Sequence, residues 1–147
     1  MKILLAIDDS KYSEAALQLL VTQNRPKETE VRVVHVVEPM TFLVAPQMTT
    51  GYAPELDEVR KEQLKQAREL VARVAEKLRE AGFPADTVVS EGNIRAEIID
   101  LAAEWKADLI VIGSHGRKGL DRFLLGSVSE FVARHARCSV EIVRLPS

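Results

Sequence analysis

Two stretches of this chain hold residues whose types and spacing can do chemistry. The richer one runs Gly113-Ser114-His115-Gly116-Arg117-Lys118-Gly119-Leu120-Asp121-Arg122-Phe123-Leu124-Leu125-Gly126-Ser127-Val128-Ser129, with four glycines inside fourteen residues. Glycine lets main-chain N–H groups approach an anion with no Cβ in the way, and Gly126-Ser127-Val128-Ser129 reads as the start of a helix, where free N–H donors and the positive dipole end favour phosphate. The second stretch, Asp8-Asp9-Ser10, offers carboxylates that can accept hydrogen bonds from a base or a ribose hydroxyl. Familiar phosphate loops are excluded by spacing. Lys118 precedes Gly119, so there is no GxxxxGK[ST] loop, and no GxGxxG follows either stretch.

These groups need a scaffold, and hydropathy supplies one. Ile3 to Ile7 is a continuous apolar run, the mark of a strand buried on both faces. A helix capped by Ser10 or Ser13 runs to about Val21 with Ala16, Leu17 and Leu20 on one face, and a valine-rich strand follows from Val31 to Val37. Pattern is lost from 38 to 54, where three of six prolines fall, so a long irregular loop is expected there. Leu56, Val59, Leu64, Ala67, Leu70, Val71, Val74, Leu78 and Ala81 then repeat at three and four residues, one long amphipathic helix stopped by Gly82.

The rest alternates in shorter steps: a strand from Thr87 to Glu91, a helix from Ile94 to Trp105 with Ile98, Ala102 and Trp105 inward, a buried strand from Leu109 to Ile112, a helix from Ser127 to His135, and a strand from Val140 to Val143. Strict β-α alternation predicts an α/β fold of three layers, a five-stranded parallel sheet with helices on both faces, as a single domain over 1–147. Ligands of such sheets bind beyond the carboxyl ends of the strands, where the strand order reverses. The two reactive stretches each follow a strand, so they meet if those strands are neighbours.

Composition narrows the setting. The 147 residues carry 20 Lys+Arg against 22 Asp+Glu, and one cysteine, Cys138, rules out a disulfide framework, a CxxC pair or a multi-cysteine zinc site. A reduced, cytoplasmic location is expected; Lys2 followed by five apolar residues and Asp8-Asp9 is too short for a signal segment, and no run is long enough to span a membrane. Residues 113–147 hold 6 basic and 3 acidic side chains, against 14 and 19 before them, so an anion would prefer the last quarter. No basic block interleaved with aromatics points to nucleic acid.

Taken together, these residues resemble the universal stress protein family, whose nucleotide-binding branch carries Gly-x2-Gly-x9-Gly-(Ser/Thr), here Gly113, Gly116, Gly126 and Ser127. The likeness extends over nearly the whole chain and includes Val34-His35-Val36 and Ala107-Asp108-Leu109-Ile110-Val111-Ile112-Gly113; it departs at Ser139, where the family commonly has proline. The resemblance implies a Rossmann-like fold of the adenine-nucleotide alpha-hydrolase type. It implies that Ala6 and Asp8 line the adenine-ribose end, that Val36 contacts adenine, and that Gly113 lies by the ribose. Gly116, Gly126, Ser127, Val128 and Ser129 would hold phosphates. It further implies ATP as ligand, with Mg²⁺ that Asp8 and Asp9 can meet through water, and a homodimer formed through Val140 to Arg144, an apolar sheet edge that pairing would cover.

Binding is expected, not turnover, because fast phosphoryl transfer needs charge stabilisation and a positioned base, and neither a P-loop lysine nor a convincing base stands beside the glycines. Slow ATP hydrolysis is compatible with that. His115 is an exposed loop histidine, His35 a packed strand residue, and His135 a helix-end residue favouring the dipole. Alternative readings are an AMP or cyclic-nucleotide sensor, and a nucleotide-independent interaction module using the 38–54 loop and last strand to hold an unknown downstream partner. A transferase of the related adenine-binding superfamily would need an SGGxDS loop after the first strand, which is absent.

Overall fold

The computed structural model describes residues 1–39, 54–116 and 125–145. Five strands, β1 (Lys2–Ala6), β2 (Glu30–Val37), β3 (Ala85–Glu91), β4 (Leu109–Gly113) and β5 (Ser139–Val143), alternate with four helices, α1 (Lys11–Gln23), α2 (Pro54–Glu80), α3 (Ile94–Trp105) and α4 (Ser127–His135). A single 3₁₀ turn, Pro26–Glu28, precedes β2. All strand pairs are parallel and the order across the sheet is β3-β2-β1-β4-β5. The expected doubly wound sheet is therefore present, and β1 and β4 are neighbours, with Ala6 opposite Ile112. Strand order reverses between them, which makes their carboxyl ends the switch point.

Side-chain alternation along the strands builds two cores. Ile3, Leu5 and Ile7 join Val31, Val33 and Val111 under Ala16, Leu17 and Leu20 of α1 and Val71, Val74 and Leu78 of α2. Leu4, Ala6, Val34, Val36, Ile110 and Ile112 face the other way, toward Ile98 and Ala102 of α3 and Val132 of α4. A strand apolar at every position suits this arrangement, because each face is covered by helices.

Two details differ from the periodicity. Val59 belongs to the apolar repeat of α2, yet it is 41% exposed. The helix has 27 residues, about 40 Å at 1.5 Å per residue, against about 26 Å for an eight-residue strand, so its first turns overhang the sheet and have no core to face. There Arg60 reaches the end of β3 and donates to both oxygens of Glu91 at 2.9 and 2.7 Å. Those hydrogen bonds hold the Glu91 carboxyl below its usual range. Trp105, expected inward, is half-buried at the end of α3. Its ring carries the Arg32 guanidinium at 4.5 Å and the Lys2 ammonium at 5.3 Å, and Arg32 is itself paired with Asp86 at 2.9 Å. The indole covers apolar surface inside and stacks cations outside.

The 38–54 loop expectation and the basic residues Arg117, Lys118 and Arg122 lie largely outside the described residues. β5 is an edge strand of the sheet, with Val140 and Ile142 half-buried. Among the described residues no helix is long and apolar enough to cross a membrane.

Candidate functional site

At the carboxyl end of β1 the chain turns sharply into α1, and Asp8 organises the turn. Its Oδ1 accepts from the Ser10 N–H at 2.9 Å and from the Ser13 hydroxyl at 3.0 Å, while Ser13 Oγ accepts from the Asp8 N–H at 2.8 Å. Ser10 caps the helix by accepting from Ser13 N–H. Asp8 is thus held by its own turn and still borders the crevice.

The end of β4 comes close to this turn. A Cβ placed on Gly116 would lie 3.0 Å from Asp8 Oδ2, and one placed on Gly113 would lie 2.7 Å from Tyr12 Cβ. The His115 ring sits 5.1 Å from the Tyr12 ring, and its Nδ1 is 3.0 Å from Ser114 Oγ. Ser114 N–H donates to Val143 O at 2.8 Å, tying the turn to β5.

From the other side, the Gly126 N–H donates to Ser114 O at 2.7 Å, so the two ends of the glycine-rich stretch are joined. Gly126 caps α4, and having no side chain it leaves the first turn without a side-chain cap. Ser10 and Asn93 do cap α1 and α3. The first bond of the α4 ladder is Glu130 N–H to Gly126 O, at 3.0 Å. The N–H groups of Ser127, Val128 and Ser129 precede it and carry the positive end of the helix dipole.

Ser129 is 2% exposed, and its hydroxyl lies 2.8 Å from Ser114 O and 3.0 Å from Gly126 O. Its single proton is committed to those carbonyls, so Ser129 offers an anion its main-chain N–H and otherwise acts as the strut of the turn. Ser129→Ala should lower stability by about 1–2 kcal/mol, the cost of orphaning buried carbonyls, read as a fall in the thermal midpoint.

These turns enclose a cavity of about 1020 Å³, at the upper end of ordinary ligand pockets. Ala6, Asp8, Val36, Gly113, Gly116, Gly126, Ser127, Val128 and Ser129 all line it. The cavity extends beyond them. Ile94, Arg95 and Ile98 of α3 wall the side of Ala6 and Val36, while His35, with Gln63, Leu70 and Arg73 of α2, walls the side of Ile7. Motif reading passed over these residues because they belong to no glycine pattern; the available signal was that α2 and α3 both begin at the sheet edge where the glycine turns lie.

The remaining candidates have structural partners. His35 Nδ1 is 2.7 Å from Ile7 O, and His135 Nδ1 is 2.9 Å from Phe131 O with the two rings stacked at 4.0 Å. Cys138 packs half-buried against the α3/α4 core, and burial pushes its thiol up, away from the reactive thiolate.

Fold and site together define a doubly wound α/β domain with an amide-lined crevice at its switch point. The model of the universal stress protein family matches residues 1–144, and the chain belongs to that family. It is 35% identical over 145 residues to universal stress protein YxiE of Bacillus subtilis, covering 97% of this chain and 98% of the relative. It is 32% identical over 149 residues to Sll1388 of Synechocystis, covering 97% of each. Among solved structures, the protein MJ0577 superposes with a TM-score of 0.84 at 26% identity, over 99% of this chain and 96% of its own. More distant members with the same fold were solved with dAMP (Archaeoglobus fulgidus, TM-score 0.70, 23% identity, 98% of each chain), with AMP (Arabidopsis thaliana, 0.66, 17%, 100% and 93%) and with cAMP (0.63, 23%, 99% and 98%).

Proposed function

We propose that this protein is an adenine-nucleotide-binding regulatory module of the universal stress type, with ATP as its leading ligand. The observation that carries the reading is the start of α4: three consecutive main-chain N–H groups behind a glycine cap, opening into a cavity that Asp8 and Val36 also line. A phosphate chain matches those donors. The ribose then lies by Asp8 and Gly113 and the base by Val36 and Ala6, while Mg²⁺ arrives with the phosphates and meets Asp8 or Asp9 through water. Relatives of the same fold that hold dAMP, AMP and cAMP support the adenine assignment. The protein works by binding in the cytoplasm and pairs with a second copy through β5.

Calorimetric titration with ATP, AMP and cAMP tests the ligand. Saturable ATP binding is expected, with AMP weaker because it presents one phosphate group to the helix. Tighter cAMP or AMP binding would make the protein a sensor of those ligands, and no binding would favour an interaction module. Phosphate release should stay far below the enzyme range of about 1 to 10³ per second, and light scattering should report a dimer.

A further inference from the structure

The pairing of β1 with β2 stops one rung short. Even-numbered residues of β2 point their N–H and C=O groups toward β1: Glu30 N–H donates to Met1 O and Val34 O accepts from Ile7 N–H, both at 2.9 Å. Odd-numbered residues point to β3, as Val31 N–H to Pro84 O at 2.9 Å and Gly92 N–H to Val37 O at 3.0 Å show. The next bond of a parallel ladder would run from Val36 N–H to Ile7 O. Among the described residues no such bond is present, and Ile7 O instead lies 2.7 Å from His35 Nδ1. Since a carbonyl only accepts, Nδ1 carries the proton and the imidazole is the donor. Val36 is 6% exposed, so an unpartnered main-chain pair there is an anomaly that calls for a cause.

We propose that His35 is a positioning residue of the base subsite: by holding the Ile7 carbonyl it keeps the Val36 N–H and C=O out of the ladder and available to the edge of a purine. This rests on the nucleotide reading above. An adenine edge presents an acceptor at N1 beside a donor at its 6-amino group, complementary to one strand residue's N–H and C=O. Hypoxanthine and guanine present a donor at N1 beside an acceptor at O6, the reverse pattern, so a free Val36 pair selects the 6-amino purine. The phosphate-binding turn lies elsewhere in the cavity and does not depend on the clip.

The test combines His35→Leu, which cannot donate, with His35→Gln, whose amide can. In the ligand-free wild type the Val36 amide should exchange with deuterium at least tenfold faster than the Val34 amide. In His35→Leu it should gain protection as it takes over the Ile7 carbonyl. Wild type should prefer ATP to ITP; His35→Leu should lose at least tenfold in ATP affinity and much of that preference, and His35→Gln should restore both in part. A Val36 amide as protected as Val34 in the free wild type overturns the clip, as does an unchanged ATP-to-ITP ratio in His35→Leu. Equal binding of ATP and ITP by wild type overturns the base-edge assignment alone. If wild type binds neither, the nucleotide reading falls and takes the subsite with it, while the exchange comparison still decides the hydrogen-bond geometry.

Discussion

Gly126→Val should reduce ATP affinity by about 100-fold or more, equivalent to about 2.7 kcal/mol at 1.4 kcal/mol per decade, while leaving most of the fold's stability in place. The defect is steric. Gly126 has φ −64° and ψ 160°, values open to any residue, but a Cβ would lie 3.0 Å from Ser114 O and 3.2 Å from His115 Cα. Both neighbours are main chain, so the turn must open, and the 2.7 Å bond from Gly126 N–H to Ser114 O opens with it. Valine adds two methyl groups beside the three donors that an anion needs. Gly126→Ala should fall between the two proteins. Calorimetry with ATP and with adenosine separates the causes: adenosine affinity should change little, because the nucleoside has no phosphate for α4 to hold. If ATP binds the valine variant as tightly as wild type, the phosphates lie away from this helix.

Such an expectation was partly visible before any fold was known, for a physical reason. Strands buried on both faces, such as Ile3 to Ile7 and Leu109 to Ile112, must be apolar throughout, and a glycine turn at a strand end leaves a spacing that survives in the chain. Those two signals suffice to place β1 beside β4 and the turn between them. Properties that depend on register or overhang leave no such trace. The exposure of Val59 follows from α2 being longer than the strands it covers, and the half-burial of Trp105 from the cations of β1 and β2 that stack on it. The contact of His35 with Ile7 O requires knowing which residue of β2 lies opposite the tip of β1. Arg95 and Gln63 are ordinary helix-surface types in sequence, and only the meeting of helix starts at one sheet edge turns them toward a cavity.

Gly113→Ala should be the most destabilising of the small substitutions at the site, by about 3 kcal/mol, the upper part of the range for overpacking a tight interior. A Cβ there would lie 2.7 Å from Tyr12 Cβ, 2.9 Å from Tyr12 C and 3.0 Å from Tyr12 O. The first turn of α1 therefore rests directly on the last peptide of β4. Neither side can yield cheaply: α1 is fixed by Ala16, Leu17 and Leu20, each at most 1% exposed, and β4 is paired with β1 on one side and β5 on the other. For a domain of this size the thermal midpoint should drop by about 6–12 °C. The strain also reaches the ligand, because Tyr12 adjoins Ser13, whose hydroxyl holds Asp8. Saturating ATP raises the midpoint of any variant that binds it, by an amount set by its dissociation constant. Melting Gly113→Ala and Gly126→Val with and without ATP therefore gives opposite signatures: a low midpoint that ATP still raises for the first, and a near-normal midpoint that ATP hardly moves for the second. A Gly113→Ala protein that melts within 2 °C of wild type would mean that α1 slides on β4 with little resistance, and the close approach of the two strand tips would then lose its energetic meaning.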